Sequence, residues 1–187
     1  VFGGGRSGGA FRVVGKLETI TISTEGNGSE FGTLTKINRN MLASASNKTR
    51  GLFAGGYENP ANSNVIDYIT FSSLGDALDF GDMSIPLYSA GAASSPIRAV
   101  IMGGHQPASP NQTSQIQFLT IATRGNTMNF GDLTEPISFA QNVSDSIRAV
   151  RMGGITPLDD SMDYINISTE GNAVFFGDLL SVHKEGT

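Results

Sequence analysis

The segment VIMGG at residues 100–104 is a short apolar run that ends in two glycines, and this pattern decides the fold. It occurs four times, and the spacing between successive second glycines is 51, 48 and 50 residues. A period of this size is typical of an array of similar supersecondary units. The four copies are VFGGG at 1–5, LFAGG at 52–56, VIMGG at 100–104 and VRMGG at 150–154, and the repeats span 1–49, 50–97, 98–147 and 148–187.

A second signature follows each double glycine after a loop. In the second repeat it reads DYITFSSLGD at 67–76, where Ile69 and Phe71 alternate with other residues. Alternation of this kind, rich in β-branched residues, predicts a strand. The run ends in every repeat with a glycine and an Asn or Asp, which favour a tight hairpin turn. These pairs are Gly26-Asn27, Gly75-Asp76, Gly125-Asn126 and Gly171-Asn172.

A third strand in each repeat ends in Phe-Gly, and a stretch of small residues such as LASAS at 42–46 precedes the next apolar run. No segment has a convincing helical period, so the chain is predicted to be all-β with four short antiparallel strands per repeat. Such a unit is typical of a β-propeller blade. The small residues suit its crowded inner strand, and the apolar run suits its buried middle strand. The Phe-Gly pairs are Phe31-Gly32, Phe80-Gly81, Phe130-Gly131 and Phe176-Gly177.

Composition excludes several classes of protein. The 187 residues fit one domain and include no cysteine, so disulfides and cysteine-ligated metals are excluded. A net charge of −5 argues against nucleic acid as a partner, and no apolar run is long enough for a transmembrane helix. The two histidines, His105 and His183, do not form a ligand pair of the kind that binds zinc. We therefore expect no metal, no cofactor, no nucleic acid and no membrane insertion.

The repeats resemble those of the kelch family, in which a small-residue strand precedes an apolar strand ending in Gly-Gly, a strand with Tyr and a strand with Trp. The double glycine is present four times, Tyr68 and Tyr164 occupy the Tyr position, and phenylalanine replaces the Trp. The segments 51–83 and 148–179 are also similar to repeats of virion structural and tail-fibre proteins of tailed bacteriophages, particularly marine and cyanobacterial phages. These resemblances imply one kelch-like β-propeller domain over residues 1–187.

The phage resemblance also implies a function. It points to a non-enzymatic virion protein, such as a tail fibre, a spike or a capsid decoration, which mediates host attachment or particle assembly. Its partners would be other virion proteins and a host-surface glycan, its location the particle surface, and its state oligomeric. We expect the tail at 181–187 to supply the inner strand that the first repeat lacks and so close a four-bladed ring. The alternative is that these are four blades of a longer array.

Residues that recur in the repeats are better explained by the fold than by a ligand. An arginine precedes three of the apolar runs, and an aspartate follows three of the Phe-Gly pairs. An arginine can pair with a carboxylate through two hydrogen bonds, so we expect these residues to contact neighbouring units. The residues assigned to the scaffold are Gly4, Gly5, Gly55, Gly56, Gly103, Gly104, Gly153, Gly154, Arg50, Arg98, Arg148, Asp82, Asp132 and Asp178.

The loops behind the double glycines differ between repeats and are therefore the better functional candidates, since loops on a rigid scaffold often carry binding. Their planar and polar groups suit sugar recognition, although polar surface turns have the same composition. A carbohydrate-binding module of a secreted or cell-surface protein is thus the second hypothesis. A hydrolase is a distant third, because it needs two facing carboxylates. The candidate binding residues are Tyr57, Asn59, His105, Gln106, Asn111, Asp159 and Asp160.

Overall fold

The computed structural model describes residues 1–7, 12–155 and 158–182, and this part of the chain contains β-strands and no helix. It accordingly has no helix that could cross a membrane. The all-β prediction is confirmed. The strands are β1 (Phe2–Gly3), β2 (Arg6–Ser7), β3 (Arg12–Val13), β4 (Lys16–Thr19), β5 (Ser29–Thr33), β6 (Ala43–Ser46), β7 (Arg50–Ala54), β8 (Tyr57–Glu58), β9 (Ala61–Asn62), β10 (Val65–Thr70), β11 (Leu78–Asp82), β12 (Gly91–Ser94), β13 (Arg98–Met102), β14 (Gln115–Thr120), β15 (Met128–Asp132), β16 (Gln141–Ser144), β17 (Arg148–Gly154), β18 (Asp159–Asn166) and β19 (Val174–Asp178).

These strands form four antiparallel sheets and two small hairpins. Sheet 1 has the order β1-β4-β5, sheet 2 has β6-β7-β10-β11, sheet 3 has β12-β13-β14-β15 and sheet 4 has β16-β17-β18-β19. The hairpins are β2-β3 and β8-β9, and both lie in the loops behind a double glycine. Sheets 2 to 4 each take their small-residue strand from the end of the preceding sequence repeat. Sheet 1 has no such strand among the described residues, so β1 is its edge.

Strand β13 shows why the apolar runs form middle strands. It pairs with β12 on one side and β14 on the other, and Val100, Ile101 and Met102 are buried. A strand covered on both faces requires a continuous apolar run rather than an alternating one. The two glycines that follow have positive φ angles of 61° at Gly103 and 113° at Gly104, which favour residues without a Cβ atom.

The last strand of each sheet contains a β-bulge at the same place, where it pairs with its neighbour. In sheet 2 the register with β11 shifts between Ile66 and Asp67, and the other three sheets have a shift at the equivalent position. A bulge re-aims the side chain beside it. In sheets 2 and 4 the residue after the shift, Asp67 or Asp163, is a buried carboxylate.

Consecutive sheets pack face to face and bury an apolar cluster between them. Leu17 and Phe31 of sheet 1 pack with Phe53 and Ile69 of sheet 2, and larger clusters lie between sheets 2 and 3 and between sheets 3 and 4. The inner strand β12 contacts both β6 and β16.

Sheets 1 and 4 do not cover one another in the described part of the chain. Phe2 of sheet 1 is 61% exposed and Phe176 of sheet 4 is 52% exposed. Of the tail predicted to close a ring, residues 183–187 lie outside the described residues, so that closure stays a prediction. The described structure is an open series of four sheets.

Candidate functional site

Two of the predicted binding residues, Tyr57 and His105, lie on either side of Tyr88. The Tyr88 ring stacks on His105 with centroids 4.5 Å apart and a 26° tilt, and its centroid is 5.5 Å from that of Tyr57. Tyr57 and His105 occupy the same repeat position, directly after a double glycine. Tyr88 is not among the residues that the sequence predicts for a site, although it is the one aromatic residue in the small-residue stretch at 87–92. We call Tyr57, Tyr88 and His105 the aromatic cluster.

Polar groups hold the loops beside the aromatic cluster. The Tyr57 hydroxyl donates to Oδ1 of Asn59 at 3.2 Å, and the Asn62 amide donates to the His105 carbonyl at 3.0 Å. Gln106 closes its own loop, because its side-chain amide donates to the carbonyl of Pro110 at 2.7 Å. The main-chain N–H of Gln106 donates to the carbonyl of Asn111 at 2.7 Å. Of the predicted residues, Gln106 therefore has a structural role, whereas Asn111 keeps an exposed side chain.

The surroundings of Tyr88 and His105 favour the uncharged form of each ring. Burial lowers the pKa of His105, and a hydrogen bond with the backbone of Gln106 offsets this only in part. Burial also raises the pKa of Tyr88, and the nearby Tyr57 adds to that shift. Both shifts favour the neutral form of the ring, and stacked neutral rings suit a flat, uncharged ligand better than an ion.

A ladder of main-chain hydrogen bonds runs beside the cluster from sheet to sheet. Ser89 N–H donates to the carbonyl of Met41, and Phe139 N–H donates to the carbonyl of Ser89, both at 3.0 Å. All three residues have φ between 50° and 57°, which is uncommon for residues with a side chain. They line a shallow recess of about 370 Å³, and the Phe139 ring lies edge-on to Tyr88 at 6.4 Å. The recess and the aromatic cluster together form the best candidate ligand site.

Asp159, another predicted binding residue, is part of the fold instead. It begins β18, and its carboxylate accepts a hydrogen bond from the fully buried guanidinium of Arg151 at 2.7 Å. Burial would raise the pKa of Asp159, but hydrogen bonds from Ser161 and Arg151 lower it. Asp160 contributes its main-chain carbonyl, which accepts from Leu179 N–H at 2.7 Å. The structure therefore pairs Asp159 with a buried arginine and does not place these aspartates with the aromatic cluster.

Arg151 also pairs with Asp163 at 2.6 Å and donates to the carbonyls of Gly153 and Ser161. Burial lowers the pKa of Arg151, yet the hydrogen bonds and charges of Asp163 and Asp159 outweigh that effect, so its pKa is raised. A buried charge needs this degree of pairing because its desolvation costs several kcal/mol. The guanidinium thus joins the end of β17 to the first half of β18.

A second buried arginine occupies the equivalent place in sheet 2 but comes from another part of the sequence. Arg39, in the segment between β5 and β6, pairs with Asp67 and donates to the carbonyls of Gly55 and Val65. Burial lowers the pKa of Arg39, and Asp67 opposes this shift. In sheet 3 the position of Asp67 is taken by the uncharged Gln117, which accepts from Ser84 and Thr127. Among the described sheets, the position of Asp67 thus holds a buried carboxylate only where a buried arginine pairs with it.

Two of the three recurrent arginines join one sheet to the next through main-chain carbonyls. Arg50 donates to the carbonyls of Ile121 and Ala122, both at 2.9 Å. Arg98 does the same in the following pair of sheets, at 3.3 Å to Ile167 and 3.1 Å to Ser168. Each recurrent arginine also lies over a ring of its own sheet; the pairs are Arg50 with Tyr68 at 5.0 Å, Arg98 with Phe118 at 4.6 Å and Arg148 with Tyr164 at 4.9 Å.

Two of the three recurrent aspartates, Asp82 and Asp132, are joined to the next sheet through their main-chain groups. Asp82 N–H donates to the side-chain oxygen of Asn126 at 2.9 Å, and Asp132 N–H donates to that of Asn172 at 3.0 Å. Beside them, the N–H of the turn glycine donates to the carbonyl of the preceding sheet's Phe-Gly phenylalanine. These bonds are Gly75 to Phe31 at 2.9 Å, Gly125 to Phe80 at 2.9 Å and Gly171 to Phe130 at 2.8 Å. We call this repeated contact between consecutive sheets the seam.

The described residues contain no group of three or more His, Asp or Glu side chains that could hold a metal ion. No family model matches the chain, and no curated protein matches it either.

Proposed function

We propose that the chain forms four blades of a kelch-like β-propeller and is a non-enzymatic structural protein of a tailed-phage virion. Its place would be a tail fibre, a spike or a capsid decoration, where it mediates host attachment or particle assembly. The observation that best supports a structural role is the seam, which recurs three times with the same hydrogen bonds. A rigid stack of sheets suits a protein that carries load or displays loops.

The use of charged side chains also supports this role. The buried charges at Arg39 and Arg151 bind carboxylates and carbonyls of the scaffold, and Arg50 and Arg98 bind carbonyls across seams. These groups are committed to holding strands and sheets together rather than to a reaction. The surfaces and loops are therefore the parts of the molecule available for binding, as expected for an attachment or assembly protein.

Purified particles provide the test of this proposal. Phage particles are banded by density, their proteins are identified by mass spectrometry, and an antibody against the purified chain is used for immunogold labelling. We expect the chain in the banded particles at a regular copy number, with gold at a defined part of the particle. Detection in the infected lysate alone, with unlabelled particles, would overturn the proposal.

A carbohydrate-binding module is the second candidate, and the aromatic cluster favours it. Neutral rings beside a recess of about 370 Å³ are suited to the apolar face of a sugar. A glycan array probed with the wild-type chain and with Tyr88→Ala tests this function. Signals that are lost in Tyr88→Ala but kept in Leu74→Glu, a change at an exposed turn, would support it. No signal above background, or equal signals from all three proteins, would reject it.

A further inference from the structure

We call the side of sheet 4 that is turned away from sheet 3 its outer face. This face has the geometry of one half of a seam, but no sheet of the described chain packs on it. Its Phe176 meets Tyr164 edge-on at 6.0 Å, as Phe80 meets Tyr68 at 5.8 Å in sheet 2. Arg148 lies over Tyr164 as Arg50 lies over Tyr68. The equivalent phenylalanines of sheets 1 to 3 are at most 5% exposed, whereas Phe176 is 52% exposed. This face is therefore a preformed half of a seam.

The outer face of sheet 1, which is turned away from sheet 2, has the geometry of the other half of a seam. Its Ile22 is 96% exposed, although the residues at this position in sheets 3 and 4, Ile121 and Ile167, are buried against the preceding sheet. The turn at Gly26 and Asn27 has the same Gly-Asn sequence as the turns that form seams elsewhere.

The polar groups of the two faces are complementary. In each existing seam a turn Asn or Asp accepts from the N–H after Phe-Gly, and the turn glycine donates to the Phe carbonyl. Sheet 1 offers Asn27 and Gly26 for these bonds, and sheet 4 offers Asp178 and Phe176. Arg98 also lies 3.5 Å from Glu170 across the last seam. The residues equivalent to that ion pair are Arg148 in sheet 4 and Glu25 in sheet 1.

Glycine at position 177 leaves room for this contact. In the three seams the Phe-Gly glycine lies so close to the next sheet's turn that an added Cβ would be 2.1 to 2.4 Å from the turn glycine's carbonyl oxygen. Gly177 has the same sequence context, but the nearest atom to a Cβ there is Met162 Cε at 3.6 Å within its own sheet. The space into which a neighbouring turn fits is thus open at sheet 4.

We propose that sheet 4 of one copy docks against sheet 1 of a second copy, head to tail, and forms a fourth seam. A second copy of this chain would cover each exposed face, because the face that complements sheet 4 is on sheet 1 and the face that complements sheet 1 is on sheet 4. Such a contact is heterologous, so repetition produces a ring or a filament according to whether the rotation closes. The inference does not depend on a place in a virion, and its failure would leave that proposal standing.

Sedimentation velocity over a wide concentration range tests the docking. We expect the wild-type chain to associate as its concentration rises. Ile22→Glu places a charge on the sheet 1 face only, and Phe176→Glu places a charge on the sheet 4 face only. Each variant alone should therefore stay monomeric. Mixed together, the two should form a 1:1 dimer, because each supplies the face that the other lacks. Leu74→Glu is the matched control, since it changes an apolar residue whose exposure of 74% lies between the 52% of Phe176 and the 96% of Ile22. Two other repeats have Glu at this position, and the variant should associate like the wild type.

Circular dichroism establishes that each variant is folded, which is expected because Ile22 and Phe176 are exposed in the single chain. A wild-type chain that is monomeric at every concentration would overturn the proposal, whether or not its own ends meet in a closed ring. It would also be overturned if only one of the two variants blocked association, which would indicate a symmetric contact, or if the mixture did not dimerise.

Discussion

A Cβ atom added to Gly81 would lie 2.4 Å from the main-chain oxygen of Gly125 in the next sheet. The same relationship joins Gly32 to Gly75, at 2.1 Å, and Gly131 to Gly171, at 2.3 Å. Real Cβ atoms do not approach another atom so closely. The glycine of the recurring Phe-Gly pair is therefore required by the packing between sheets. The seam explains why this pair is present in every repeat.

Replacing Gly81 by alanine should destabilise the chain more than replacing Gly177. The two glycines have similar φ angles, 146° and 154°, so both variants bear a backbone strain of about 1–3 kcal/mol. Gly81→Ala adds a steric clash with Gly125, which should cost a further ~1–3 kcal/mol. Urea unfolding at a concentration where the chain is monomeric measures the difference. Equal losses of stability would mean that the seam does not exclude a side chain at position 81.

The buried pair of Arg39 and Asp67 leads to a second prediction. Arg39→Leu should reduce the free energy of unfolding by about 3–5 kcal/mol, because it leaves the Asp67 carboxylate buried without its cation. Adding Asp67→Gln should restore much of that loss, since sheet 3 holds Gln117 at this position and Ser84 donates to it. Thr35, which donates to Asp67 in sheet 2, is placed to do the same. Denaturant unfolding of the single and double variants makes the comparison, and a double variant no more stable than Arg39→Leu would contradict it.

Much of the architecture follows from the sequence. Apolar runs at a regular spacing predict the all-β fold, and VIMGG becomes the middle strand and positive-φ glycines of sheet 3 as that pattern indicates. The seams cannot be predicted from this pattern. Gly81 and Gly125 are far apart in the sequence, and nothing in the sequence indicates that they are in contact. Comparing repeats shows which residues recur but not which ones meet.

The buried arginines and the aromatic cluster show a further reason why sites escape prediction. Arg39 and Arg151 place guanidinium groups at equivalent points of two sheets from different repeat positions, so repetition does not reveal them. The role of Asp159 depends on Arg151, and a sequence shows only an acidic pair. Tyr88 lies in a stretch expected to hold small residues, yet it is the ring that joins Tyr57 to His105.

The stability of the fold should fall at mildly acidic pH because of His105. Its pKa is lowered by burial, whereas in the unfolded chain it is about 6.5. The folded state therefore binds fewer protons in this range, so the contribution of His105 is fully present above the unfolded pKa and is lost as the pH falls through the folded one. His105→Phe keeps a ring on Tyr88 and removes the titration.

Thermal unfolding of wild type and His105→Phe at about pH 8 and about pH 5 measures this effect, since these values bracket the ordinary pKa of histidine. The wild type should lose more stability than the variant between the two values. An identical pH dependence of the two proteins would contradict this prediction, because it would show that folding does not change the pKa of His105.

Hydrogen exchange at the turn glycines tests the seam account most directly. The N–H groups of Gly75, Gly125 and Gly171 each donate across a seam at 2.8 to 2.9 Å, whereas Gly26 has no such partner in the described chain. In dilute solution we expect the three seam amides to be protected and the Gly26 amide to exchange freely; in concentrated solution Gly26 should become protected as copies dock. Protection of Gly26 equal to that of Gly125 at high dilution, or free exchange at Gly125, would contradict the account.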